Sequence, residues 1–362
     1  MTERHTPIDV LRGLVIALMA LDHMRGFIAP AGANPTDFTT TTTGFFLVRW
    51  VTHLCAPSFV FLMGAVACLQ FVSKPSTTRH FLATRGLWLI FLEVTWISLC
   101  WDWNLGSTIL GVLWALGGSM VLLACLAGRF GNEHGMAVVG FLTILGLEVA
   151  AVRPDPGLTQ LLFQPGSMRL FGHSVGGSYA LLPWFGVAAL GFGLGPWIVR
   201  AKPRGLAGLG LAFIATFVAY RWLQWTDPDA WVVQSRPLMT VADFLNPSKY
   251  PPSISYVLMT LGVVFLLLAG PVRSLGPINR ILNIFGRVPM FFYLIHLPLA
   301  HAMGNAYAWV VYDQSRVPST ESVSIALIIG AWLVLLGLCW PLCSRWEALK
   351  KRRPEWGWLR YF

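Results

Sequence analysis

Apolar residues run in blocks of about 20 along almost the whole chain, and polar residues collect between the blocks. Stretches such as "GVVFLLLAG" and "LIIGAWLVLLGLCW" show no two-residue alternation. A closed β-barrel, which alternates in segments of about ten residues, therefore does not fit. Helices long enough to cross a bilayer do fit. The pattern predicts them at roughly 8–28, 50–73, 81–101, 106–127, 135–151, 179–199, 205–223, 254–272, 281–301 and 323–345. The expected fold class is all-α: a polytopic integral membrane helix bundle of about ten transmembrane helices, with 1–362 forming a single transmembrane domain.

Charge sets the orientation. Arg4 precedes the first span; Lys74 and Arg79 follow the second, Arg129 the fourth, and Arg200, Lys202 and Arg204 the sixth. Arg273 and Arg280 follow the eighth, and "KKRR" at 350–353 follows the last. The alternate loops are longer and poorer in Lys and Arg, so both termini are expected to be cytoplasmic. Of the 362 residues 56% are hydrophobic and only 12% charged, about half the charged share of a soluble domain. The net charge of +10 reads as this topology signal plus an affinity for anionic lipid headgroups, not as nucleic-acid binding. A cleaved signal peptide at 8–28 is rejected, because Asp22 and His23 interrupt it. Cys55, Cys68, Cys100, Cys125, Cys339 and Cys343 lie within or at the ends of apolar spans, match no zinc spacing, and read as buried core.

The first span, "IDVLRGLVIALMALDHMRGF", departs from the apolar pattern by carrying five ionisable groups. At about 100° and 1.5 Å per residue, Arg12 and His23 fall within about 20° of one face, about 16 Å apart along the axis. Asp9 stands three residues before Arg12 and can pair with it; Asp22 and Arg25 can pair on a different face. Facing lipid, each central charge would cost about 2.5–3.5 kcal/mol, so the stripe is expected to line the bundle interior. The alternative for Asp9 and Arg12 is simple snorkelling at the cytoplasmic end.

Further ionisable residues lie in or beside other spans: His53, Glu93, Arg287, His296 and His301. Glu93 could neutralise an arginine from another helix. His296 and His301 lie about 140° apart, which argues against one shared metal on a straight helix, and no metal is expected. Pro289 and Pro298 are expected to kink the span at 281–301. The long loops at 29–49, 152–178, 224–253 and 302–322 are expected to shape a site. Within them Trp231, Asn246, Lys249 and Tyr250 could contact a sugar or fix the loop. Small-residue runs such as "GVAALGFGLG" read as close helix packing.

"IDVLRG" followed by "LMALDH" resembles the start of the heparan-α-glucosaminide N-acetyltransferase-like family, within the wider transmembrane acyltransferases. The resemblance continues through "THLCAPSFVFLMG", "LLPWFGVAALGFGLG", "FLNPSKYPPSISYVLMTLG" and "FGRVPMFFYLIHLPL", nearly the whole chain. It implies a bundle that takes acetyl-CoA from the cytoplasm and acetylates an acceptor on the opposite side. By match Arg12 and His23 form the shared pair, and His53 and His296 sit in family motif positions. One departure stands out: the resemblance implies that lysosomal members have Asn where this chain has His23 and carry their catalytic histidine in the following loop, which reads "TTTTTG" here.

The chemistry of the stripe suits acyl transfer. Arginine holds phosphate through bidentate charge-assisted bonds, which makes Arg12 a candidate for the nucleotide of acyl-CoA, with Asp9 as its partner and Arg85 and Arg280 as further cations. A desolvated imidazole favours its neutral form and can take a proton from an attacking hydroxyl or amine. His23 is the candidate base, with Asp22, His53 or Glu93 as candidate groups to orient it. The expected partners are acyl-CoA, an extracytoplasmic sugar or glycan acceptor and membrane lipids, with a homodimer as the assembly to test. The expected location is the cell inner (plasma) membrane. The alternative function is a proton-coupled secondary transporter, whose carboxylates and histidines would relay protons.

Overall fold

The computed structural model describes residues 6–104, 106–130, 133–150, 157–170, 172–224, 229–273 and 275–362. Arg4, part of the charge pattern above, lies outside them, as do parts of the loops at 152–178 and 224–253. The described residues are mostly α-helical. In chain order the helices are α1 Thr6–Ile28, α2 Thr43–Thr52, α3 Cys55–Ser73, α4 Pro75–Leu92, α5 Ser98–Asp102, α6 Val112–Leu126, α7 Glu133–Val149 and α8 Leu158–Phe163. They continue with α9 Leu181–Arg200, α10 Pro203–Leu223, α11 Pro237–Phe244, α12 Ile254–Ala269, α13 Ile278–Arg287, α14 Pro289–Tyr312 and α15 Ile325–Arg352.

Among the described residues five segments are long and apolar enough to cross a membrane: Thr43–Ser73, Pro75–Asp102, Leu181–Arg200, Pro203–Leu223 and Ile325–Arg352. A sixth arises if α13 and α14 count as one span, and α6 and α12 are shorter apolar helices. At 23 residues α1 has the length to cross, but it holds Asp9, Arg12, Asp22 and Arg25. The protein is thus an all-α polytopic membrane protein.

Three expectations need correction. The span expected at 281–301 is two helices, α13 and α14, meeting at 96°. The break falls at Val288, directly before Pro289, where the missing N–H and the steric limit on the preceding residue favour a fresh start. Pro298 instead lies inside α14, which runs on to Tyr312, so most of the expected loop at 302–322 is helix. Second, a small sheet in the order β1-β3-β2 forms from Ser107–Leu110, His173–Gly177 and Gly166–Leu170, respectively. The β1–β3 pairing is parallel and β2–β3 is antiparallel. These strands are too short and glycine-rich to rise above the helical pattern. Third, Cys125 is exposed, unlike the other five cysteines, which are buried.

The chain forms two compact units. The first comprises Met1–Cys55, Trp231–Asn246 and Gly270–Phe362. Here α1 is the central helix, packed on α13, α14 and α15. Trp332 on α15 donates to the Ala17 carbonyl at 2.8 Å, and Arg287 on α13 donates to Glu347 on α15 at 2.8 Å. Phe46 on α2 packs with Met239 and Ala242 on α11, and Arg236 donates to the carbonyls of Phe38 and Thr41.

The second unit comprises Ala56–Ala230 and Pro247–Ala269. Its helices approach through small residues: an added Cβ at Gly86 would lie 2.5 Å from the Gly117 carbonyl, and one at Gly210 would lie 2.8 Å from that of Gly262. Such contacts let helices pack closely where lipid offers no hydrophobic driving force between them. Glu148 on α7 ties three helices, accepting from the Tyr220 hydroxyl and from Ile254 N–H. Glu93 does not neutralise an arginine. It is fully buried and accepts from Leu113 and Trp114 N–H, capping the start of α6.

Candidate active site

The stripe on α1 is built as its spacing requires. Asp9 and Arg12 pair at 3.7 Å near the start of the helix, and His23 stands eleven residues beyond Arg12. The partner of His23 comes from α14: His23 Nδ1 lies 2.8 Å from His296 Nε2, with the rings nearly parallel and their centroids 5.0 Å apart. His296 Nδ1 lies 3.0 Å from the Phe292 carbonyl one turn earlier. Phe292 and Tyr293 flank the His296 ring, and Tyr293 also meets His23 edge-on at 6.2 Å. His301, five residues on, stacks on Phe27 of α1 at 4.5 Å.

These contacts assign the protons through the network. A carbonyl only accepts, so the Phe292 oxygen requires hydrogen on His296 Nδ1. In the neutral ring that leaves Nε2 bare, and it accepts from His23 Nδ1–H. The lone pair of His23 then resides on Nε2. His296 is 0% exposed while His23 is only half-buried, so His23 is the member of the pair that a substrate can approach. The arrangement can take a proton at His23 and share the resulting charge with His296, a buried base-and-orienter pair of the kind used in nucleophilic catalysis.

Asp22 does something else. Its Oδ1 accepts from Arg25 Nε at 3.2 Å and Nη2 at 3.0 Å, and its Oδ2 from Arg49 Nη1 at 2.6 Å. It therefore holds two guanidiniums, one from its own helix and one from α2. The three side chains are 11–18% exposed. Removing one partner of a buried ionic group leaves charge uncompensated, at about 3–5 kcal/mol. The Asp22→Asn variant is accordingly expected to lose about that much stability, read as a lower melting temperature of the solubilised protein. Adding Arg49→Met should restore part of it; no loss in the single variant would show the cluster to be solvated.

The other expected residues are divided between the two units. His53 is buried at the C-cap of α2 in the first unit. Arg280 is exposed on α13, and Asn246 follows α11. Arg85 belongs to the second unit, its guanidinium over the Phe81 ring. Lys249 and Tyr250 also belong there; the Lys249 ammonium lies 5.0 Å and 5.7 Å from the Tyr250 and Tyr179 ring centres. Trp231 meets Phe244 edge-on in the first unit. Arg49 was not singled out from the sequence, although a lone arginine in "TGFFLVRWVT" is itself an intramembrane-charge signal. The Phe292 carbonyl leaves no such signal. Among the described residues no cluster of three or more His, Cys, Asp or Glu has metal-site geometry.

No curated protein matches the chain. The family model described as heparan-alpha-glucosaminide N-acetyltransferase, catalytic, matches residues 4–226. That span includes Arg12, Asp22, His23 and His53, while His296 lies beyond it. Covering more than half of a helical membrane chain, the match makes this protein a member of the heparan-alpha-glucosaminide N-acetyltransferase catalytic family, an acetyltransferase-type membrane enzyme.

Proposed function

We propose that the protein moves an acetyl group from cytoplasmic acetyl-CoA to a hydroxyl or amine of an extracytoplasmic acceptor, an envelope sugar or glycan, across the cell inner membrane. The observation that carries this reading is the hydrogen-bonded line from the Phe292 carbonyl through His296 to His23. His23 Nε2 removes the proton of the acceptor O–H or N–H as its heteroatom adds to the thioester carbonyl. The resulting imidazolium shares its Nδ1 proton with His296, and the tetrahedral intermediate collapses by breaking the C–S bond. The CoA thiolate leaves with the proton from Nε2, restoring the neutral base. Arg12, with Asp9 beside it, stands about 16 Å down the same helix, a separation suited to a pantetheine arm between phosphates and thioester. About ten transmembrane helices with both ends in the cytoplasm complete the proposed topology.

The test supplies purified protein with labelled acetyl-CoA and envelope extract and follows label into the extract. No transfer above a protein-free control would end the proposal. The role of His296 has its own expected result. His296→Phe keeps a flat ring and removes the hydrogen bond to His23. A hydrogen bond to a charged group contributes about 1.5–3 kcal/mol, so kcat should fall about 10- to 100-fold. KM for the acyl donor should change little; an unaltered kcat would leave His296 a packing residue. Proton-coupled transport is the weaker reading, since transporters place broken helices in corresponding positions of two halves. One bent pair occurs among the described residues.

A further inference from the structure

Helix α13 keeps one side polar. Asn279, Asn283 and Arg287 recur every four residues and share a face, with Arg280 beside them. The other side, with Leu282 and Phe285, is buried. Four buried atoms on the polar side and its neighbour have no hydrogen-bond partner among the described residues: Asn279 Oδ1, Asn283 Oδ1, Arg287 Nε and Trp346 Nε1. Trp346 is on α15, adjacent to Glu347, which accepts from Arg287 Nη1, and its ring stacks on Phe291 at 4.4 Å. Two acceptors and two donors therefore lie along one corner formed by α13, α15 and the start of α14. Buried polar groups in native proteins are almost always satisfied, so four unmet atoms in one corner point to a ligand that both donates and accepts. The corner is also basic: Arg280, Arg287 and Lys351 accompany one carboxylate, Glu347. It adjoins α1, since Gly286 meets the Asp9 backbone one turn before Arg12.

We infer that this corner binds the nucleotide end of acyl-CoA, an inference that rests on the acyl-CoA reading above. Adenine supplies an amine that donates to an Asn Oδ1 and ring nitrogens that accept from N–H groups. The diphosphate and the 3′-phosphate supply anionic oxygens for Arg280 and Arg287. A phosphatidylcholine headgroup brings phosphate but, unlike adenine, no N–H or O–H donor for the two amide oxygens.

The test uses the full chain in zwitterionic nanodiscs and measures affinity for CoA, dephospho-CoA, adenosine 3′,5′-bisphosphate and acetyl-pantetheine. Asn283→Leu should weaken CoA and the bisphosphate about tenfold, and acetyl-pantetheine less than twofold. Arg280→Gln, at an exposed position, should erase the preference for CoA over dephospho-CoA. If Asn283→Leu does not fold, Asn279→Leu carries the same expectation. Unchanged CoA affinity in the folded variants, or an equal loss for acetyl-pantetheine, overturns the site. Failure of the unaltered protein to bind either CoA or acetyl-pantetheine overturns the acyl-CoA reading instead.

Discussion

His23→Ala is expected to lower acetyl transfer by about 10²–10⁴, the contribution of a positioned general base. The loss should fall on kcat, because the imidazole acts on the acceptor proton as the thioester is attacked and contributes little to holding the donor. The variant should fold, since a half-buried ring at the edge of the α1–α14 contact is being trimmed, not a core packing group. It should also exceed the effect of His296→Phe, which leaves the proton acceptor in place and removes only its alignment. Equal activity of His23→Ala and the unaltered protein would remove the imidazole from the mechanism. So would a loss confined to KM.

Gly286→Ala is expected to destabilise the first unit by about 3 kcal/mol or more, at the upper end of overpacking costs. A Cβ there would stand 1.8 Å from the Asp9 carbonyl oxygen, and one at Gly13 would stand 1.8 Å from that of Leu282. Both obstacles are backbone, so no rotamer change relieves them; α1 and α13 must separate. Gly26, on α1, has nothing within 4 Å of its added Cβ and supplies the control. Gly26→Ala should be neutral or slightly stabilising, since alanine is favoured over glycine in a helix by about 1 kcal/mol. Melting temperatures of the solubilised variants decide the matter. Equal values for Gly286→Ala and Gly26→Ala would mean that α1 and α13 do not meet as closely as described. Because Asp9 belongs to this contact, Gly286→Ala should also disturb the Asp9–Arg12 pair.

The all-helical membrane architecture was legible in sequence because bilayer thickness imposes a length and lipid imposes apolarity, and both are one-dimensional properties. The i,i+3 pairs Asp9–Arg12 and Asp22–Arg25 were legible for a related reason: helical geometry fixes which neighbours on one helix can touch. The small-residue runs announced close helix packing, as Gly191 bears out: its added Cβ would lie 2.0 Å from the Phe61 carbonyl. Contacts between distant segments were not legible. Nothing in local periodicity joins His23 to His296 across 273 positions, or gives Asp22 a second arginine 27 residues away. Nor does it turn Glu93 from a charge partner into a helix cap. The 96° break at Val288 was underestimated as a kink, since Pro289 specifies where a helix can start but not the direction in which it leaves. Sequence therefore determined the solvent, the helices and the charges placed on them. Tertiary packing alone decided which polar groups meet, because a buried hydrogen-bonding group is satisfied by whatever the fold brings to it, irrespective of distance along the chain.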